Sequence, residues 1–245
     1  EFDMTQYELT DYMKEGVSDS QSSKVVLKAI EINGQERTYA VTDTINLTTS
    51  IANINIGLKE NSIFDLELDK YISRISIQNS KGIKSYEYED SVFQKVEIHR
   101  KQINGSLVVL EYTIRVTNRG EIAGNANSII DYLDNGLEFS SELNPDWYIS
   151  DGNLYTNSLS NEKIQPGETR EIKLILTKQM TENNVGVVNN RAEIAEYFNE
   201  LGKEDIDSIP NNLNQSEDDF GVADVIISIS TGIRTIGYTI LILIN

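Results

Sequence analysis

A lysine on the apolar side of a strand is the first sign of chemistry in this chain. Between residues 64 and 72, Phe64, Leu66, Leu68 and Ile72 alternate with polar side chains, and Lys70 falls among the apolar set. Because side chains of a strand point alternately to its two faces, we expect Lys70 to enter a core. A buried ammonium is costly unless it is paired, neutralised or consumed in a reaction. The pattern therefore predicts a specific partner or a reaction for Lys70.

A run of acids near the C-terminus has the composition of a cation site. Residues 200–224 contain eight acids and the single base Lys203. Calcium binds about six to eight oxygens from carboxylates and amides. No EF-hand spacing is present, and acidic runs are often solvated loops. If the segment folds back on itself, the candidate ligands are Asp205, Asp207, Asn211, Asp218 and Asp219.

The sequence contains few residues that could support other kinds of catalysis. His99 is the only histidine, cysteine is absent, and no glycine-rich phosphate loop occurs, which argues against a catalytic triad, a histidine or thiolate metal site and a nucleotide site. Trp147, with Tyr132, Tyr148 and Tyr155, is either a carbohydrate platform or ordinary packing, and packing is the commoner role. We therefore expect no enzyme in the usual sense.

The net charge of the chain limits the classes of partner that it is expected to bind. The 245 residues carry a net charge of -18 and are 39% hydrophobic. Nucleic acids and anionic membranes both repel so acidic a surface. We expect no nucleic-acid partner, and contact with a membrane only through a C-terminal anchor.

Alternating segments predict an all-β chain. Residues 110–117 alternate strictly, and shorter alternating runs follow at 136–139, 172–176 and 188–194. Residues 92–103 precede the dipeptide Asn104-Gly105, which favours a two-residue hairpin turn, so we expect them to pair with the 110–117 strand. Short strands with regular turn signals indicate an immunoglobulin-like β-sandwich.

The sandwich is expected to span residues 63–230. Residues 1–62 contain candidate strands at 24–30, 36–41 and 44–47 and an extended connector at 51–61, and they predict the end of an upstream β-rich domain. Residues 231–245 are strongly apolar but too short to cross a bilayer. They predict the start of a truncated membrane anchor or, alternatively, a buried terminal strand.

Four segments resemble a known family. They are FDLELDKY at 64–71, LEYTIRVTNRG at 110–120, IDYLDNGL at 130–137 and VNNRAEI at 188–194. In this order they are similar to repeat modules of Gram-positive surface proteins, the immunoglobulin-like domains of the collagen-adhesin and pilin type, close to domain of unknown function 11. The resemblance covers residues 63–229.

The resemblance implies an intramolecular isopeptide bond. In such modules a lysine of the first strand reacts with an asparagine of the last, and a buried, protonated acid bonds the amide carbonyl and shuttles protons. Lys70 matches the lysine. Asn190, on the parity of Val188 and Ala192, matches the asparagine, and Asp131 matches the acid.

Each of these residues also has an ordinary structural interpretation. Lys70 is able to extend to water from a strand end, Asp131 to begin the turn at 134–136, and Asn190 to bond backbone groups at a strand edge. Arg191, after the asparagine, departs from the small residue usual in the family.

The resemblance implies a mechanical role at the cell surface. We expect a monomeric stalk or adhesin module of a longer, anchored extracellular protein, holding an upstream region that binds an unidentified host or neighbouring-cell ligand. No cofactor is required for this role. The alternative is a calcium-dependent module that binds a glycan or a host protein.

Overall fold

The computed structural model describes residues 7–13, 15–18, 21–42, 54–60, 62–134 and 136–231. The chain divides into two units, Glu1–Ser62 and Ile63–Asn245. Strands account for most of the structure, and the only helix of the described residues is the single turn α1 (Arg100–Ile103).

In the described part of the first unit there are four strands. β1 (Tyr7–Leu9) pairs antiparallel with β4 (Leu58–Glu60), and β2 (Val25–Ile32) pairs with β3 (Gln35–Thr42). The turn between β2 and β3 is Asn33-Gly34, both with positive φ, which suits a tight hairpin. The predicted strands at 24–30 and 36–41 are therefore present. The predicted strand at 44–47 and part of the 51–61 connector lie outside the described residues.

The second unit is a sandwich of two sheets. The five-stranded sheet has the order β10-β13-β8-β5-β6, and the six-stranded sheet has the order β11-β12-β9-β14-β15-β7. Neighbouring strands are antiparallel except β15 and β7, which are parallel. The strands are β5 (Leu66–Asn79), β6 (Gly82–Ser91), β7 (Phe93–His99), β8 (Leu107–Asn118), β9 (Gly124–Tyr132), β10 (Glu138–Phe139), β11 (Trp147–Ser150), β12 (Asn153–Thr156), β13 (Thr169–Gln179), β14 (Gly186–Asn199) and β15 (Phe220–Ser230).

The core lies between these two sheets. Leu66, Leu68 and Ile72 of β5 are buried, and so are Val188 and Ala192 of β14. All five belong to one continuous cluster of apolar side chains. The alternation that predicted strands thus buries one face of each sheet, and the immunoglobulin-like β-sandwich is confirmed.

The predicted hairpin through Asn104-Gly105 is wrong. Residues 92–103 form β7 and then α1, and β7 pairs with β15 in the six-stranded sheet rather than with β8. The Nδ1 atom of His99 accepts a hydrogen bond from the backbone N–H of Lys101 and so caps α1. The dipeptide marks a turn between the two sheets, because the intervening helical turn redirects the chain.

Two further elements differ from the sequence prediction. The run at 136–139 forms only the two-residue strand β10. No alternating run predicted β15, which is the last described strand, so Asn190 on β14 lies on the strand before it, whereas the resemblance implied the last strand.

The predicted anchor at 231–245 lies, except for Thr231, outside the described residues. Among the residues that are described, no helix is long and apolar enough to cross a membrane. The predicted bounds of the sandwich, 63–230, and of the anchor, 231–245, therefore stay predictions.

Candidate functional site

Three strands bring Lys70, Asp131 and Asn190 together between the sheets. Lys70 lies on β5 of the five-stranded sheet, opposite Ile114 of β8. Asp131 lies on β9 of the other sheet, opposite Ala192 of β14. Asn190 precedes Ala192 by two residues, so it shares that strand's inward face. The alternation of apolar residues around each position is what directs all three inward.

The three side chains form one bonded cluster. The Lys70 Nζ atom donates to Asp131 Oδ2, and the Asn190 Nδ2 atom donates to Asp131 Oδ1 at 2.8 Å. Lys70 is 1% exposed, and Asp131 and Asn190 are 0% exposed. Lys70 therefore does not extend to water, and neither Asp131 nor Asn190 serves only a turn or a strand edge.

Burial favours the neutral form of the Lys70 side chain, which is the nucleophilic form. Burial lowers the pKa of the Lys70 ammonium, and the charge and hydrogen bond of Asp131 oppose that lowering. A proton moving from Nζ to Oδ2 would convert this ion pair into a neutral amine beside a neutral acid. Only the neutral amine has the lone pair that attack on a carboxamide requires.

Asp131 contacts the nitrogen of the Asn190 carboxamide, whereas the resemblance implied a bond to the carbonyl. In this contact Asp131 Oδ1 is the acceptor and the amide nitrogen is the donor. The Asn190 Oδ1 atom is consequently buried without a hydrogen-bond partner in the described part of the chain.

Sequence reasoning missed two residues next to this cluster. The Tyr112 ring of β8 lies beneath the amine, with its centroid 4.8 Å from Lys70 Nζ. Gly221 of β15 lies against β5, and a Cβ atom at this position would be 2.8 Å from the Lys70 backbone nitrogen. Tyr112 lies on the inward parity of β8, but a buried tyrosine gives no sequence signal of chemistry.

A second cluster gathers four aspartates. One carboxylate oxygen from each of Asp65, Asp205, Asp207 and Asp218 lies within 4.8 Å of the others, an arrangement that could hold a metal ion. Three of the predicted ligands are in this group. Asn211 and Asp219 are not, and Asp65 was missed because it lies far away in sequence, just before β5.

Burial and mutual repulsion raise the pKa values of carboxylates in the aspartate cluster. Burial, followed by the charge of Asp218, raises the pKa of Asp65 to about 6. Burial also raises the pKa of Asp205 to about 6 and raises that of Asp218. The Asp65 Oδ1 atom is buried and has no partner among the described residues, so a cation would supply the missing contact.

Asp219 lies in a different environment. It is 2% exposed, and burial, followed by the charge of Glu193, raises its pKa to about 8. Glu193 is itself buried and accepts hydrogen bonds from Tyr132 Oη and from the backbone of Asn212. These hydrogen bonds hold the loop before β15 against the six-stranded sheet.

The structure supports the packing interpretation of Trp147. Its side chain is buried, and its Nε1 atom donates to the carbonyl of Lys173 at 2.8 Å. Tyr148 and Tyr155 stack with centroids 6.0 Å apart on the strand pair β11 and β12.

No family model and no curated protein matches this chain. Among solved structures it is similar to the CARDB domain of a Pyrococcus furiosus protein in complex with di-metal ions, at 15% identity and a TM-score of 0.30, over 69% of this chain and 96% of that one. It is also similar to the full-length major pilin SpaD from Corynebacterium diphtheriae, at 12% identity and a TM-score of 0.27, over 83% of this chain and 43% of the pilin. The chain thus spans less than half of the pilin.

Proposed function

We propose that this chain is a load-bearing module of a bacterial surface protein, stabilised by an isopeptide bond between Lys70 and Asn190 that Asp131 promotes. The supporting observation is the bonded cluster of amine, carboxylate and carboxamide, each at most 1% exposed. Isolated buried polar residues usually bond backbone groups. Here all three bond one another and have the groups that amide exchange requires.

Asp131 takes part in all three proton transfers of this reaction. Oδ2 takes a proton from Lys70 Nζ, and the freed lone pair attacks Cγ of Asn190. Asp131 then protonates Nδ2, the Cγ–Nδ2 bond breaks and ammonia leaves. Asp131 then takes a second proton from Nζ, so a neutral Nζ–Cγ amide and a protonated Asp131 remain, and no oxidant or cofactor is needed.

The bond would join the two sheets. Lys70 lies on β5 and Asn190 on β14, which belong to opposite sheets. It would close a loop of more than a hundred residues. On the chain-entropy model such a loop stabilises the fold by roughly 5 kcal/mol. Covalent closure would also carry load across the core.

This role places the chain outside the cell, in a longer anchored protein. The module would be monomeric and would hold an upstream region that binds a host or neighbouring-cell ligand. The charge of -18 favours solubility and disfavours nucleic acid.

Intact mass tests the bond. We expect the wild-type protein to lack one ammonia relative to its sequence, because the amide forms as the core closes. Lys70→Ala and Asn190→Ala should have the full sequence mass, and Asp131→Ala should be largely unmodified. Lys95→Ala, which removes an exposed lysine, is the matched control and should lose ammonia like the wild type. A folded wild-type protein that has the full sequence mass would contradict the proposal.

A second candidate function is calcium-dependent ligand binding. The four aspartates with their unpartnered Asp65 Oδ1 atom favour it. Calcium prefers carboxylate oxygens, and its charge would relieve the repulsion that contributes to the raised pKa of Asp65. The cation would connect the start of β5 to the loop before β15. The molecule that the module would then bind is a glycan or a host protein.

Calorimetric titration with calcium tests this site. We expect one binding event that Asp205→Asn and Asp218→Asn each weaken at least tenfold, because each removes a charged ligand. Asp151→Asn, in the turn between β11 and β12, is the control and should bind like the wild type. Absence of binding in the wild type at millimolar calcium would leave the stalk as the better proposal.

A further inference from the structure

Two polar atoms beside the reacting groups have no hydrogen-bond partner among the described residues. They are Tyr112 Oη and Asn190 Oδ1, and both are buried. Tyr112 is 0% exposed, so its hydroxyl has no access to water. A buried donor without an acceptor is costly, and so is a buried acceptor without a donor. Tyr112 Oη lacks an acceptor and Asn190 Oδ1 lacks a donor, so each has the group that the other needs.

Both residues lie near Asp131. The Asn190 carboxamide bonds Asp131 through its nitrogen, which leaves Oδ1 on the other side of the group. Asp131 is also the charge that acts most strongly on the Tyr112 hydroxyl, and the ring of Tyr112 faces the Lys70 amine. Burial keeps the pKa of Tyr112 well above its ordinary value, so the hydroxyl remains a neutral donor.

We infer that Tyr112 Oη stabilises the oxyanion that forms on Asn190 Oδ1 during cross-linking; this inference rests on the proposed isopeptide bond. When Lys70 Nζ attacks Cγ, the carbonyl electron pair moves to Oδ1. Asp131 cannot serve that oxygen while it moves protons between Nζ and Nδ2. The Tyr112 O–H donates to the oxyanion, and the carbonyl reforms as ammonia leaves. The proton of Tyr112 is never transferred, so the atoms balance as before.

The hydroxyl and Oδ1 are not bonded in the resting structure. Hydrogen bonds that serve a transition state are often long beforehand and tighten as charge develops. A preorganised donor at an oxyanion contributes about 100-fold to 1,000-fold in rate. Its absence should therefore slow the reaction without abolishing it.

The test compares wild-type protein with Tyr112→Phe, which keeps the ring against Lys70 and removes only the hydroxyl. The full chain is made by pulsed cell-free synthesis, and the fraction lacking one ammonia is followed by intact mass. We expect Tyr112→Phe to react about 100-fold more slowly. Tyr148→Phe, whose exposed hydroxyl bonds Asn157, is the control and should match the wild type.

A stability measurement separates this role from a structural one. In an Asn190→Ala background, which cannot cross-link, Tyr112→Phe should move the denaturation midpoint upward, since it deletes an unpartnered buried hydroxyl. A lower midpoint would indicate that the hydroxyl supports the fold and would overturn the inference. Equal rates for wild type and Tyr112→Phe would overturn it while leaving the bond intact. A wild-type chain that never loses ammonia would overturn both.

Discussion

The Lys70–Asp131 pair places two charges where water cannot reach them. Both side chains are 0% exposed, and removing two ions from water costs more than their attraction readily returns. Cross-linking would remove this cost, because the products are a neutral amide and a neutral acid. On the proposed function, the pair would be a reactant rather than a stabilising ion pair.

Removing one member of the pair should be strongly destabilising. In the Asn190→Ala background we expect Lys70→Met to lower the free energy of unfolding by about 3–5 kcal/mol, because Asp131 is left buried and unpaired. Chemical denaturation measures this change. Lys95→Met removes the exposed Lys95–Glu97 pair and should change stability little. Equal effects of the two substitutions would contradict the buried pair.

At the scale of elements, contact between β5 and β15 positions the amine. The backbone N–H of Leu68 donates to the carbonyl of Asp218 at 2.8 Å, just before β15 begins. Gly221 then lets β15 lie directly against Lys70, since a Cβ atom there would be 2.9 Å from the Lys70 Cβ. The absence of a side chain sets the distance between the sheets at the reacting group.

Gly221→Ala should disturb this approach. We expect it to destabilise the fold by about 1–3 kcal/mol, because an extra methyl group must displace β5. It should also reduce the cross-linked fraction at a fixed time, because Lys70 moves with its strand. Denaturation and intact mass measure the two effects.

Val222→Ala, at the next and partly exposed position, is the control and should cross-link fully. Unchanged stability and complete cross-linking in Gly221→Ala would show that the sheets adjust without moving Lys70.

At the scale of the whole molecule, the covalent loop would leave β15 outside. The loop runs from Lys70 to Asn190, whereas β15 follows it and is held by β14 and β7 through hydrogen bonds. The resemblance implied a tie between first and last strands, which would protect the entire module. With the observed strand order, the proposed bond would protect only the part between Lys70 and Asn190.

Single-molecule stretching of the full chain should show this division. In the wild type, release of residues 191–230 should add roughly 140 Å of length, and the segment within the loop should not extend. In the Asn190→Ala variant, residues 70–190 should add roughly 400 Å more, because no bond closes the loop. Equal extension of both proteins would contradict a covalent tie.

The amino-acid sequence by itself determined which way the important side chains face. Strand alternation is local, so Lys70 and Asn190 were assigned to an inward face from their neighbours alone, and both are buried. The same local signals placed β8, β13 and β14 and indicated the sandwich.

Only the tertiary structure decided which strands and side chains meet. It paired β7 with β15, where Ser228 Oγ donates to the carbonyl of Val96 across a separation of 132 residues. It brought Asp65 to Asp205 and laid Tyr112 under Lys70. Such contacts depend on long loops closing and on the register between distant strands, neither of which a local pattern records. Faces are set by adjacent residues, whereas partners are set by the whole fold.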